Sequence, residues 1–143
     1  MSIIKTDLKF GNNNEDKVLE FLNTNNLDKF TKTSNWCFYD FENSNYICEL
    51  KSRRNTFNKY PTTMVGNSKF IKAVKQNKIF RIYFLFTDGL YYYDYNKEDK
   101  LEIKRGGRKD RSKYEYSEYC YIPISYLVSA TEELSSLSTS QTQ

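Results

Sequence analysis

Histidine is absent from the 143 residues of the sequence, and this absence excludes whole classes of chemistry. Without an imidazole, the chain has no Ser-His-Asp or Cys-His nucleophile, no two-histidine zinc site and no histidine general base. A GxxxxGK[ST] loop is also missing, which excludes a nucleoside triphosphatase of that type. If the chain is an enzyme, carboxylates, lysine, arginine or tyrosine must therefore carry its chemistry.

Long apolar runs are missing as well. No segment approaches the roughly 18 apolar residues that a membrane-spanning helix needs, and residues 1–10 lack the apolar core of a signal peptide. We therefore predict a soluble intracellular protein, in the cytoplasm or the nucleus, that is neither secreted nor membrane-bound.

Cysteine is scarce, with Cys37, Cys48 and Cys120 widely spaced and no CxxC pair. This number and spacing argue against a disulfide framework and against a thiolate zinc site. Buried reduced thiols are the favoured interpretation, with a pairing of Cys37 and Cys48 on neighbouring strands as the alternative.

Charge is nearly balanced, because 22 basic residues face 18 acidic ones. A net charge of +4 does not by itself indicate a polyanionic partner, so the positions of the basic residues are more informative. The length fits one domain, predicted over residues 1–130. A Ser/Thr/Gln-rich tail at 131–143 has little to bury and is expected to be disordered.

The order of apolar and turn segments predicts an α/β domain. Residues 11–26 read as a helix with acidic residues in its first turn, and the runs 36–42 and 46–51 read as an antiparallel hairpin. The remaining predicted elements are a helix at 67–78, strands at 79–86, 90–96 and 119–124, and a short helix at 125–130. The predicted fold is α/β (α+β), in the order α-β-β-α-β-β-β, with a central mixed sheet flanked by helices.

The hairpin carries an acid, Asp40, followed after eight residues by Glu49-Leu50-Lys51. Strand periodicity puts Glu49 and Lys51 on one face and Leu50 on the other, and the short hairpin brings Asp40 near them. Two carboxylates that hold Mg²⁺, with a lysine beside the attacking water, suit a metal-dependent phosphodiesterase. The alternative is a polar surface hairpin in which the Glu-Leu-Lys sequence is coincidental.

Asp40 and Glu49-Leu50-Lys51, on a hairpin that follows a helix, resemble the PD-(D/E)XK nuclease superfamily motif. The resemblance covers roughly residues 11–127, with Tyr39 where the family's proline would stand. The run from Glu49 to Arg53 is similar to archaeal-type Holliday-junction resolvases and to some restriction-type nucleases. The resemblance implies a restriction-endonuclease-like core and Mg²⁺ as the cofactor, with Mn²⁺ as a substitute.

The resemblance also implies roles for the motif residues. Asp40 and Glu49 would bind the metal, and the carbonyl oxygen of Leu50 would be a further direct ligand of that metal. Lys51 would orient the water or stabilise charge on the phosphate. The alternative for Lys51 is a surface lysine in a Glu-x-Lys pair.

Many relatives add an acid from the first helix, and Glu15 and Glu20 are the candidates. Glu15 shares a helical face with Leu19 and Leu22 and so faces the body of the protein, whereas Glu20 lies on a polar face. Glu15 is therefore the predicted metal ligand, with a helix-dipole partner as the alternative. Glu42 could be an auxiliary metal ligand, but the favoured interpretation is that it is a solvated acid.

Basic residues form the predicted nucleic-acid contacts. They follow the motif, lie on the second predicted helix or lie in a long charged loop: Arg53, Arg54, Lys59, Lys69, Arg105, Arg108, Lys109 and Arg111. Taken alone, such a loop is more often a solvated connection. The aromatic runs 83–86 and 91–93 are interpreted as half-buried sheet residues, with stacking on unpaired bases as the alternative.

The predicted function is a Mg²⁺-dependent endodeoxyribonuclease that hydrolyses phosphodiester bonds in DNA, with branched DNA suggested only by the resolvase-like run. The alternatives are a catalytically inactive nuclease fold that binds nucleic acid, and a structural or interaction module. DNA is the predicted partner, and no membrane contact is expected. A homodimer and a subunit of a larger assembly both remain open, as do the form of the substrate, its sequence and the pathway.

Overall fold

The computed structural model describes residues 14–25, 29–34, 37–106 and 117–130. Within these ranges lie helices α1 (Asn14–Thr24) and α2 (Asn67–Ala73) and a 3₁₀ helix (Ile124–Tyr126). The strands are β1 (Thr31–Lys32), β2 (Phe41–Glu42), β3 (Tyr46–Ser52), β4 (Thr62–Gly66), β5 (Ile79–Phe86), β6 (Gly89–Asp94), β7 (Glu102–Gly106), β8 (Ser117–Pro123) and β9 (Val128–Ser129). The tail predicted at 131–143 lies outside the described residues.

Six strands form a central mixed sheet in the order β1-β2-β3-β5-β6-β9. β3 and β5 are parallel, and the other neighbouring pairs are antiparallel. β5 is buried from Phe80 to Phe86 because both of its faces are covered, which explains its continuous apolar sequence. The parallel pair requires a crossover, which β4 and α2 provide.

A smaller antiparallel sheet, in the order β4-β8-β7, packs against one face of the central sheet. Val65 of this sheet and Phe70 of α2 share a core with Ile82 and Phe84 of β5. The opposite face of the central sheet is covered by α1, whose buried Val18, Phe21 and Leu22 form a stripe at helical spacing. The central sheet is therefore enclosed by α1 on one side and by α2 with the second sheet on the other.

The predicted mixed α/β fold with helices against a central sheet is confirmed. The aromatic runs lie in β5 and β6, as predicted, but the run 83–86 is buried throughout and only the run 91–93 is half-buried. The structure adds strands at positions that the sequence pattern left irregular or read otherwise: β1, β4, β7 and β9. Of these, β4 and β7 join the predicted strand β8 in the second sheet, which the predicted order did not contain.

Several element boundaries differ from prediction. α2 ends at Ala73 because the following residues 74–77 are exposed, so a longer helix would bury nothing. The predicted strand 36–42 is reduced to β2, since residues 37–40 bend away from the ladder. At 125–130, the 3₁₀ helix and β9 replace the predicted helix. None of the helices in the described ranges is both long and apolar enough to cross a membrane.

Candidate active site

The β2–β3 hairpin places Asp40 directly beside the motif strand. Phe41 pairs with Cys48, so Asp40 stands opposite Glu49 at the point where the ladder ends. The backbone N–H of Asp40 donates to the carbonyl of Cys48 (2.8 Å), and its side-chain Oδ2 accepts from the N–H of Leu50 (2.7 Å). These two bonds fix the carboxylate of Asp40 at the edge of β3.

The backbone of Leu50 faces the same edge. Because the N–H and C=O of one strand residue point to the same side of the strand, the carbonyl of Leu50 points toward Asp40. Its side chain packs on the α1 side of the sheet. This agrees with the predicted orientation, in which Leu50 turns into the core between Glu49 and Lys51.

Glu49 is buried, with only 4% of its surface exposed. Burial raises the pKa of its carboxyl to about 7, and the adjacent Asp40 carboxyl adds to this shift. The ammonium groups of Lys69 and Lys51 act in the opposite direction. Glu49 and Asp40 are therefore close enough that their negative charges oppose each other.

A third carboxyl belongs to the same cluster. Burial raises the pKa of Glu15 on α1, and the charge of Asp40 raises it further, while Lys32 opposes the shift. Asp40 thus interacts with an acid on each side. Glu20 is exposed, as its helical face predicted. Glu42 forms an ion pair with Lys78 (3.0 Å), which supports its interpretation as a partly solvated acid.

The donor chemistry of this cluster fits a divalent cation. Oε2 of Glu49 is buried and accepts no hydrogen bond from any residue that the structure describes. The carboxylates and the Leu50 carbonyl offer the hard oxygen donors that Mg²⁺ prefers. Across the described ranges, however, no three acidic, histidine or cysteine side chains already converge as cation ligands. The carboxyls interact in pairs through Asp40, so a bound cation would have to draw them together.

Two lysines accompany the carboxyls. Lys51 is half-buried, and its charge reaches Glu49 from the same face of β3. Lys69 of α2, a predicted nucleic-acid contact, has its Nζ 2.9 Å from Oε2 of Glu49 and donates a hydrogen bond to the carbonyl of Phe38. The Lys69–Glu49 contact is therefore an ion pair whose angles are not those of a hydrogen bond, so Oε2 has a charge partner but no aligned donor among the described residues. No motif spacing could have indicated this contact, which depends on how α2 packs.

The other basic residues are dispersed. The Nε of Arg53 donates to Oγ1 of Thr63 (3.2 Å) and its Nη2 to the carbonyl of Met64 (2.6 Å), which ties the end of β3 to β4. Arg54 and Lys59 are exposed beyond β3, and Arg105 is exposed on β7, one of the two edge strands of the second sheet. The predicted contacts Arg108, Lys109 and Arg111 lie outside the described residues.

The chain matches a family of proteins over most of its length. Residues 7–130 match the family described as "phage putative PDDEXK endonuclease". The matched segment includes α1, both sheets and all the residues of the acid cluster. A search of curated proteins found no match to the chain.

Proposed function

The chain belongs to the phage putative PDDEXK endonuclease family, and on that premise we propose that it is a metal-dependent endonuclease that hydrolyses phosphodiester bonds in DNA. The observation that carries the proposal is the cluster of Asp40, Glu49 and Glu15 beside Lys51. The buried Oε2 of Glu49 accepts no hydrogen bond from the described residues, and burial and neighbouring carboxyls raise the pKa of Glu49 and of Glu15 although Lys69 forms an ion pair with Glu49.

The residues take the following roles in this proposal. Asp40, Glu49 and the Leu50 carbonyl would hold one or two Mg²⁺ ions, for which Mn²⁺ could substitute, and Glu15 would assist from α1. When bound, such a cation polarises the phosphate and lowers the pKa of a water molecule. Lys51 orients that water and stabilises the negative charge that develops on the phosphate.

The exposed basic residues support a polyanionic substrate. Arg54, Lys59 and Arg105 lie on the surface, and each phosphate that such a residue neutralises adds a salt-sensitive increment to affinity. Branched DNA is the substrate suggested by the resolvase-like run Glu49-Leu50-Lys51-Ser52-Arg53. Lys69 is reassigned within the proposal, from a surface phosphate contact to a residue that accompanies Glu49.

A cleavage assay tests the proposal. The full chain is incubated with supercoiled plasmid, linear duplex, single strands and a four-way junction, with Mg²⁺, with Mn²⁺ and with EDTA. Asp40→Asn and Lys51→Ala are expected to lower the cleavage rate by roughly 10²-fold or more, since the first removes a metal ligand and the second a positive charge beside the reacting phosphate. Glu42→Gln and Lys75→Ala are the matched controls, because these residues lie outside the acid cluster.

The outcomes separate the alternatives. Metal-dependent cleavage that is lost in Asp40→Asn and Lys51→Ala but kept in both controls supports the proposal. Salt-sensitive DNA binding without cleavage by any preparation would favour an inactive, nucleic-acid-binding nuclease fold. Neither binding nor cleavage would favour a structural or interaction module.

A further inference from the structure

A cavity of about 450 Å³ lies beyond the acid cluster, between the end of β3, the segment 55–61 and the second sheet. This volume falls within the roughly 300–1,000 Å³ that is usual for small-molecule sites. Most of the lining is aromatic or aliphatic. Among the described residues that line the cavity, Arg53 alone is charged.

The position of the cavity follows from the alternation of side chains along β3. Glu49, Lys51 and Arg53 fall on the same face, and each lies about 6.5 Å along the strand from the one before it. The guanidinium of Arg53 lies over the ring of Phe84 (5.8 Å) on the side of the second sheet, which confirms that this face continues to the cavity. The cavity therefore begins one side-chain position beyond the lysine assigned to the reacting phosphate.

The aromatic walls of the cavity differ from the buried aromatic residues of the central sheet. Phe57 is held in place by a parallel stack on Tyr91 (4.1 Å between centroids) and an edge contact with Phe86 (5.8 Å). Tyr60 is 54% exposed and Met64 is 41% exposed. The packed ring of Phe57, the exposed ring of Tyr60 and the thioether of Met64 thus form an apolar surface that solvent can reach.

Charge at the rim favours a nucleic acid as the ligand. Arg54 and Lys59 are exposed on the segment that borders the cavity, and Nζ of Lys59 lies 5.7 Å from the centroid of the Tyr60 ring. No aspartate or glutamate is among the described lining residues. Cations at the rim suit phosphates, and aromatic rings inside suit the face of a base.

We propose that this cavity binds one unpaired nucleobase of the substrate, next to the phosphate that is cleaved. The inference rests on the proposed nuclease function and adds a substrate class to it: DNA with an unpaired nucleotide beside the cleavage site. A base in continuous duplex is stacked and paired, so it has to leave the helix to enter. Single strands, flaps and junctions offer such a base without that cost.

Photo-crosslinking tests the site directly. The full chain, kept in EDTA so that no cleavage occurs, is irradiated with a DNA strand that carries a single 5-iodouracil, either unpaired or within a continuous duplex. Peptide mapping is expected to find crosslinks at Phe57 or Tyr60 from the unpaired base and at least roughly ten-fold fewer from the paired one. Crosslinks elsewhere, equal crosslinking of duplex, or no crosslinking would overturn the proposal.

Matched variants keep the test independent of catalysis. Tyr60→Ala is expected to weaken single-strand binding by roughly ten-fold, because one base loses its stacking partner, and Tyr60→Phe is expected to bind like wild type. Tyr126→Ala, at another exposed tyrosine outside the cavity, is the control. Thermal melting verifies that each variant folds.

Cleavage rates separate failure of this inference from failure of the proposed function. If wild type cleaves DNA and Tyr60→Ala cleaves and binds unpaired substrates as wild type does, the base site is wrong and the nuclease assignment stands. If wild type cleaves no DNA, the nuclease assignment fails, and the base site fails with it as a substrate-binding site.

Discussion

Two charged side chains lie buried on the central sheet, Arg81 on β5 and Glu49 on β3, and their surroundings differ in kind. Arg81 is 6% exposed, and its guanidinium lies between the rings of Tyr46 (4.2 Å) and Tyr92 (4.1 Å). Its Nε and Nη2 donate to the two carboxylate oxygens of Asp94 (2.6 and 3.0 Å). This charge is satisfied from within the chain.

Glu49 is buried to the same degree without comparable partners. Its ion-pair partner is Lys69 (2.9 Å), but its Oε2 accepts no hydrogen bond from the described residues, and its pKa is raised by burial and by the neighbouring carboxyl of Asp40. Burying a charge is unfavourable unless partners replace its water. The charge of Arg81 is therefore satisfied by two carboxylate oxygens and two rings, whereas that of Glu49 is only partly balanced by Lys69 and lies beside the carboxyl of Asp40.

The largest expected effect follows from removing the charge of Glu49. Glu49→Gln should lower the cleavage rate by at least roughly 10²-fold, because a metal ligand is lost. The same variant should raise the free energy of unfolding of the metal-free protein by about 1 kcal/mol, since relief of the buried charge opposed by Asp40 outweighs the loss of the ion pair with Lys69. Cleavage assays and urea denaturation measure the two quantities. An active variant, or one that is less stable than wild type, would remove the contrast with Arg81.

Removing the charge of Arg81 should lower the free energy of unfolding, in contrast to removing that of Glu49. Arg81→Met should lower the free energy of unfolding by about 3 kcal/mol, because Asp94 loses its bidentate partner and two tyrosine rings lose the cation between them. The change is measured by urea denaturation. A neutral result would show that the Arg81 site contributes no more to stability than an apolar contact.

The free energy of unfolding should depend on pH through the carboxyl of Glu49. The pKa of Glu49 is raised from 4.5 to about 7 in the folded state. The folded protein therefore holds this proton more tightly than the unfolded chain, and the resulting stabilisation is full below about pH 4.5. It is lost as the pH rises through about 7.

The measurement is urea denaturation of the metal-free protein at several pH values between about 5 and 8. The free energy of unfolding should fall over this range in wild type and fall less in Glu49→Gln. Glu42→Gln should follow wild type, since Glu42 is paired with Lys78. Identical slopes in wild type and Glu49→Gln would contradict the assignment of the shift to Glu49.

The smallest expected effect concerns Lys69, whose ammonium occupies the vicinity of Oε2 where a cation would bind. Lys69→Met should lower the Mg²⁺ concentration that gives half-maximal thermal stabilisation by a few-fold, because a competing positive charge is removed. Lys72→Met is the matched control: Lys72 lies over the same Phe38 ring as Lys69 but is exposed. Weaker Mg²⁺ binding in Lys69→Met would mean that Lys69 supports the site instead of competing for it.

Local pattern was sufficient to predict much of the structure. Turn residues between two extended runs predicted the hairpin, and its short length correctly placed Asp40 beside Glu49. Helical periodicity distinguished Glu15, which lies near Asp40, from Glu20, which is exposed. These features depend on residues that are close in sequence, and the metal-binding and catalytic roles assigned to them remain predictions.

Features that depend on long-range packing could not be predicted. Lys69 reaches Glu49 only because α2 packs beside β3, and no spacing rule encodes that contact. β4 and β7 lie in polar, irregular-looking segments, because a strand of a partly exposed sheet lacks the continuous apolar run that identified β5. Arg81 lies within that apolar run, where the pattern gives no sign of its partners on β6.

Manganese binding to the isolated protein tests the central claim most directly. Titration of the full chain with Mn²⁺, followed by the electron paramagnetic resonance signal of the free ion, should show saturable binding in wild type and in Glu42→Gln. The binding should be lost or greatly weakened in Glu49→Gln and Asp40→Asn. Equal binding by all four proteins, or none by wild type, would contradict the claim that the incomplete carboxylate cluster is a cation site.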